Sequence, residues 1–242
     1  MQQKNALSSS IFMLAASWIS KGLGLISTII LARLLSPTDF GLVAIAMLIV
    51  YFFDLFSQTG TQQYLLSKDK VSNQDLNTAW TLNIISKFAV SLVIFFSSPI
   101  LASFFEAELK QTLSVCALMP IIIGLENPAI NLAKREFNYK RIFKLQLLAK
   151  LTAFTITISI AIYSPSHWAM IIGTIFYFLI LTSGSFFIIS YKPKFSVKNA
   201  KKQWSYSQWI FLRGFVGYGR AKGDSFILAK FFSLNEVGIF SI

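Results

Sequence analysis

Histidine and cysteine occur once each, as His167 and Cys116, in a chain of 242 residues. A single cysteine excludes an internal disulfide, and no His or Cys pair has metal-ligand spacing. No metal or cofactor is therefore expected. Charge is scarce as well: 13% of residues are Asp, Glu, Lys or Arg, against roughly 25% in soluble domains. Too little polar surface remains to coat a water-soluble body. The chain also lacks a Gly-rich GxxxxGK loop and any loop long enough for a catalytic domain. Nucleotide hydrolysis, glycosyl transfer and polymerisation are not expected, so the chain is not read as an enzyme.

Apolar residues make up 55% of the chain, with 24 phenylalanines. A helix needs about 20 mostly apolar residues to cross a bilayer. Seven stretches qualify: Ser10–Leu35, Phe40–Tyr64, Trp80–Phe104, Gln111–Ala133, Lys144–Tyr163, Trp168–Tyr191 and Ser205–Phe232. An eighth begins near Val237. Ser36-Pro37-Thr38-Asp39 and Ser164-Pro165-Ser166 read as turns outside the hydrocarbon. The first span is too long for a signal peptide.

The basic residues set the orientation. Lys4, Lys68, Lys70, Lys134, Arg135, Lys140, Arg141, Lys144, Lys192, Lys194, Lys198, Lys201 and Lys202 fall on the side of the N-terminus. Only Arg33, Lys110 and Lys230 fall opposite. The positive-inside rule then places the N-terminus in the cytoplasm. The same distribution, in short blocks between apolar spans, argues against nucleic acid as a partner.

Residues 8–45 repeat at 205–242, shifted by 197 without a gap. Ile30-Leu31-Ala32-Arg33 lies over Ile227-Leu228-Ala229-Lys230, Ser36 over Ser233, Asp39 over Glu236 and Gly41 over Gly238. Six spans separate the copies, so the copies run parallel. The expected architecture is an all-α integral membrane protein with a six-helix transporter lobe over 1–191. A basic cytoplasmic linker follows over 192–204, and 205–242 starts a parallel second lobe. Substrate would pass between such lobes.

Charges within the spans mark the candidate site, because each costs about 2.5–3.5 kcal/mol at the bilayer centre unless it faces water or a partner. Ser10, Ser17, Lys21, Gly24 and Thr28 share one helical face, as do Arg213, Gly217, Arg220 and Asp224. Shorter stripes are Asp54, Gln58 and Gln62; Asn83, Lys87 and Ser91; and Glu126 and Asn127 with Asn131. Lys21, Lys87, Arg213 and Arg220 are expected to line a cationic cavity suited to a lipid diphosphate. Asp54, Glu126 and Asp224 would be charge partners or ion-coupling groups. Plainer readings stand beside these. Arg220 and Asp224, four apart, would pair with each other, and Lys87 and Lys222 would snorkel to an interface. Lys150 would be a positive-inside anchor, and Glu126 and Asn127 would serve only the backbone freed by Pro128. His167, beside Trp168, fits an aromatic belt.

The segment Ile29-Ile30-Leu31-Ala32-Arg33-Leu34-Leu35-Ser36-Pro37-Thr38-Asp39-Phe40-Gly41 resembles a signature of the Wzx-type polysaccharide repeat-unit flippases. These belong to the multidrug, oligosaccharidyl-lipid and polysaccharide exporter superfamily. Gln58-Thr59-Gly60, Lys134-Arg135-Glu136-Phe137 and Asp224-Ser225-Phe226-Ile227-Leu228-Ala229-Lys230 carry the resemblance further. It implies a multi-pass protein of the bacterial inner membrane that moves an undecaprenyl-diphosphate-linked oligosaccharide outward by alternating access. Membrane lipids, a polysaccharide polymerase and export machinery would be its partners. Lys21 and Arg220 sit on helices where relatives place cavity cations. Relatives are about twice as long, so the sequence reads as an N-terminal fragment. A drug exporter of the same superfamily and a non-transporting scaffold of polysaccharide assembly are the alternatives.

Overall fold

The computed structural model describes residues 2–68, 70–135, 139–189, 191–205 and 207–242. Side chains are described from residue 17 onward, apart from 69, 134–139, 190 and 206–209. Ser10 and the Lys134–Phe137 step lie outside the described side chains. The described chain is helical, without a strand. Five helices are long and apolar enough to cross a membrane, within α1 (Gln2–Leu34), α2 (Pro37–Asp54), α4 (Asn73–Phe104), α8 (Tyr139–Tyr163) and α9 (Trp168–Ile188). Large apolar side chains on them face outward: Phe96, Tyr163 and Phe187 are 71%, 89% and 91% exposed. In water such surfaces would drive aggregation, and in lipid they are the normal exterior. The chain is a multi-pass membrane protein.

The other two expected spans differ in form. The stretch read as a fourth span is three short helices, α5 (Leu109–Cys116), α6 (Leu118–Gly124) and α7 (Ile130–Arg135). α11 (Ser207–Phe231) has 25 residues, but Arg213, Arg220, Lys222, Asp224 and Lys230 interrupt its apolar character. The second expected span is also broken. α2 passes through a 3-10 turn (Leu55–Ser57), and the chain resumes as α3 (Thr61–Ser67). Gly60 lies between them at φ 65°, a left-handed conformation that glycine alone adopts without steric cost.

At the lysine-rich end, the start of α4 is set by Ser72 and Asp75, which cap each other's backbone amides. This box places the helix start seven residues ahead of the expected Trp80. Segment 192–204, which includes α10 (Ala200–Trp204), is fastened here. Asn199 Nδ2 donates to Asp75 Oδ1 at 2.9 Å and Gln203 Nε2 to Asp75 O at 2.9 Å. Ser196 N–H donates to Thr81 Oγ1 at 2.9 Å. Lys68 Nζ donates to Asp75 Oδ2 at 2.8 Å, which raises the lysine pKa above its ordinary value. The linker is an ordered strap on α4 rather than a loose connection.

At the opposite end, the two repeated turns have the same capping chemistry. Ser36 and Asp39 cap α2, and Ser233 and Glu236 cap α12 (Leu234–Ser241). The helices then meet backbone to backbone. A Cβ on Gly41 would fall 1.9 Å from Leu234 O, and one on Gly238 would fall 1.7 Å from Pro37 O. Leu234 and Gly238 are Pro37 and Gly41 shifted by 197, so equivalent residues of the two segments touch reciprocally. Nearby, His167 N–H donates to Asp39 Oδ1 at 2.8 Å, and His167 Nε2 lies 3.3 Å from Thr112 Oγ1 in hydrogen-bond contact. His167 also packs on Trp168, with ring centroids 4.8 Å apart.

Two predictions follow from these contacts. Gly41→Ala overpacks a backbone contact that cannot give way, at a cost of about 1–3 kcal/mol. It lowers the thermal midpoint in detergent, whereas Gly217→Ala, with open space around the position, holds or raises it. Burial pushes the His167 pKa below its ordinary 6.5, against the pull of Asp39 and Glu108. As pH falls, the unfolded chain therefore binds this proton first. Stability is full above the ordinary value and is lost as pH falls through the folded one. A melting series from about pH 7.5 to about 5.5 has a declining midpoint, and His167→Gln flattens that slope.

Candidate functional site: a polar cavity between two broken helices

The two breaks face each other. The first lies between α2 and α3 at Gln58–Gly60, and the second between α6 and α7 at Leu125–Ala129. Between them is a cavity of about 410 Å³ lined by Asp54, Gln58, Gln62, Asn83, Lys87 and Glu126, with Trp80 and Asn131 among the other walls. The structure thus brings together three stripes that the sequence displays separately, on α2–α3, α4 and α6–α7. Of the seven charged candidates, Asp54, Lys87 and Glu126 meet here.

Lys87 is not a snorkelling residue. Its Nζ donates to Asp54 Oδ1 at 2.6 Å, with 10% of the lysine side chain and 23% of the aspartate exposed. Ser57 Oγ donates to the Asp54 backbone carbonyl at 2.6 Å and shares that bond with the same carboxylate oxygen at 3.1 Å. A Cβ on Gly124 would lie 2.9 Å from Lys87 Cβ, so α6 is pressed against the lysine stem. Asn83 Nδ2 donates to Gly124 O at 3.3 Å, satisfying a carbonyl at the end of α6. Asn127 serves backbone groups, but the carbonyls it reaches lie after α9 and are not those freed by Pro128. It is fully buried, donating from N–H to Ser185 Oγ at 3.0 Å and from Nδ2 to Ile189 O at 3.2 Å. Glu126 instead lines the cavity.

The remaining candidates lie elsewhere. Lys21 on α1 and Arg213, Arg220 and Asp224 on α11 are exposed and are not part of this lining. Arg220 and Asp224 do not pair with each other. Asp224 Oδ1 accepts from Ser225 N–H at 2.7 Å. Gly24 and Thr28, from the polar face of α1, line a separate cleft with Lys150 of α8. Lys150 is not an outlying anchor, since its Nζ donates to the Ser20 carbonyl next to Lys21. Lys222 borders a third hollow beside Tyr51 and Tyr218. Among the described residues no group of His, Cys, Asp and Glu could hold a metal ion.

The family model described as "Polysaccharide biosynthesis protein" matches residues 30–242. The chain belongs to this family. Lipopolysaccharide biosynthesis protein WzxC of Escherichia coli K12 is 22% identical over 94% of the chain and 47% of its own length. Succinoglycan biosynthesis transport protein ExoT of Rhizobium meliloti 1021 is 22% identical over 91% of the chain and 45% of its own. A membrane protein of the Klebsiella pneumoniae cps region is likewise 22% identical, over 91% and 47%. The chain spans about half the length of the curated relatives it matches. No solved structure matches it.

Membership of the family places the chain in polysaccharide biosynthesis but assigns no residue. The sequence reading missed the strap on α4, although Ser72 three residues before Asp75 is a legible capping signature. It also missed Lys150, because nothing in a single sequence shows that α8 lies against α1. A buried ion pair loses most when one member is left alone, at a cost of about 3–5 kcal/mol. Asp54→Asn and Lys87→Gln each lower the thermal midpoint in detergent, and the double variant recovers most of the loss. Additive losses in that cycle would mean that the two side chains do not act as a pair.

Proposed function

We propose that this chain supplies one lobe, and the start of a second, of a bacterial inner-membrane flippase. In this reading it moves an undecaprenyl-diphosphate-linked oligosaccharide from the cytoplasmic to the outer leaflet by alternating access, with the N-terminus in the cytoplasm. The exposed cations on α1 and α11 carry the reading. Lys21, Arg213 and Arg220 stand out from membrane-length helices with no ion-pair partner among the described residues. Lipid would penalise each of them, so these faces are suited to a water-filled path and an anionic headgroup. Asp224 on the same helix tempers the charge of the empty path. The reciprocal Gly41–Gly238 contact fits two parallel lobes related by an axis along the membrane normal. The similarity to WzxC, a lipopolysaccharide biosynthesis protein, and to ExoT, a succinoglycan biosynthesis transport protein, supports a polysaccharide-related cargo. A polysaccharide polymerase and export machinery would be its neighbours.

A second reading, a drug exporter for cations, draws on one observation: among the described lining residues the cavity holds Asp54 and Glu126 with Lys87. Complementation separates the two. In cells lacking their own flippase, Lys21→Ala and Arg220→Ala in the full-length gene each reduce surface polysaccharide at least about tenfold. Wild-type export by both variants sinks the cationic path. A reporter fused at Ser164 is expected outside and one at Lys198 inside, and the reverse pattern overturns the orientation.

A further inference from the structure

We propose that segment 192–204 is a docking surface for anionic phospholipid headgroups at the lysine-rich end of the protein. The proposal rests on the membrane-spanning fold and not on the flippase reading. Lys192, Lys194, Lys198, Lys201 and Lys202 stand within eleven residues, and the chain has no Asp or Glu between Glu136 and Asp224. All five lysines are exposed, and none has an ion-pair partner among the described residues. The segment is nonetheless fixed in place, because its attachments use other groups. Lys194 N–H donates to Asn77 Oδ1 at 2.8 Å, and Ser196 N–H donates to Thr81 Oγ1 at 2.9 Å. Asn199 and Gln203 then return to Asp75, a buried acid already held by Lys68 and Ser72. The lysines are thus presented on an ordered base, and the bonds that hold the base leave their side chains out.

Depth selects a lipid surface as the partner. Lys192 follows the end of the membrane-length helix α9, at Ile188, by four residues, a reach of at most about 14 Å. The segment therefore lies within reach of the headgroup layer, where each lysine adds attraction to acidic lipids over roughly a Debye length. The path of the strap is graded in the same sense. From Asn77 it advances to Thr81 and then turns back to Asp75, so its tip lies about 9 Å farther along α4 than its α10 end. α4 crosses the membrane from this end, so farther along means deeper. The tip is apolar: Phe195 and Val197 are 72% and 62% exposed, and the Phe195 ring centroid lies 5.1 Å from that of Trp80. Lys198, Lys201 and Lys202 flank Asn199 and Gln203, the residues bonded to Asp75 at the shallow level. A deep apolar tip under a shallow basic base makes an interfacial anchor. An acidic protein accounts for the lysines but not for exposed apolar side chains on the membrane side of them.

The test places the whole chain in phosphatidylcholine nanodiscs titrated with phosphatidylglycerol and counts the retained lipids by native mass spectrometry. The wild type retains phosphatidylglycerol over phosphatidylcholine at least about tenfold, and salt at about 1 M removes most of that preference. Lys192→Gln, Lys194→Gln, Lys198→Gln, Lys201→Gln and Lys202→Gln combined abolish it. The thermal midpoint of this variant in phosphatidylcholine stays at the wild-type value, which shows that it is folded. Phe195→Ser with Val197→Ser keeps the lysines and weakens retention several-fold. Equal retention of both lipids by the wild type, or an undiminished preference in the five-lysine variant, overturns the proposal. So does a preference lost only on Lys140→Gln with Arg141→Gln and Lys144→Gln, the neighbouring basic block at the start of α8. Poly-glutamate that binds in phosphatidylcholine discs, with no preference between the lipids, assigns the surface to an acidic protein and overturns the lipid site.

Discussion

A helix broken inside hydrocarbon frees backbone groups that lipid cannot satisfy, so a break survives only where protein or water surrounds it. This chain breaks two helices and answers both. At the second break, Asn127 is the answer. Its amide N–H reaches Ser185, its side chain reaches the carbonyls of Ile189 and Tyr191, and its Oδ1 accepts from Ala129 N–H. At the first break, Gly60 turns through a left-handed conformation, and its carbonyl accepts from Tyr64 N–H at 3.0 Å to start α3. The cavity is the consequence. Two interrupted helices facing each other cannot fill the space between them, and polar side chains occupy its walls.

Pairing decides what that space can attract. A lysine read alone is a phosphate ligand; the same lysine at 2.6 Å from a carboxylate is a structural cross-link between α2 and α4. Burying two charges is repaid only by close geometry and further hydrogen bonds, and Ser57 supplies one of them. The cations of α11 follow the opposite rule. They stay exposed on a helix that could otherwise lie in lipid, so their cost has to be offset by water, an anionic ligand or protein packed against that face.

The fold was legible where physics is local. Five of the seven span positions, the turns at Pro37 and Pro165, and the matching caps of the two repeated turns follow from hydropathy, capping chemistry and spacing. Pro128 is expected to kink the fourth span beside Glu126 and Asn127, and the chain leaves the helix there between α6 and α7. The break at Gly60 was not foreseen, because a lone glycine among Gln, Thr and Gln reads equally as a polar helix end. For the site, Asp54, Lys87 and Glu126 were each singled out, but their mutual distance was not accessible from one sequence. Spacing along a helix shows which residues share a face. It does not show which faces meet, and that left the pairing of Lys87 with Asp54 and the placement of Lys150 undetermined.

The two ends of the lobe explain why the ion pair sits where it does. At the lysine-rich end, segment 192–204 is fastened through Asp75 and Thr81 to α4, the helix that carries Lys87. At the opposite end, α12 touches α2 at Gly41, the helix that ends in Asp54. The segment that begins at α11 is thus held on both sides by the two helices that the Lys87–Asp54 pair joins. Tyr218 OH adds a third tie, donating to Leu48 O on α2 at 2.6 Å. Any shift of α11 relative to the lobe has to be absorbed within these attachments or transmitted to α2 and α4. Coupling of that kind requires contiguous contacts, and here they run from both ends of α11 to the walls of one cavity.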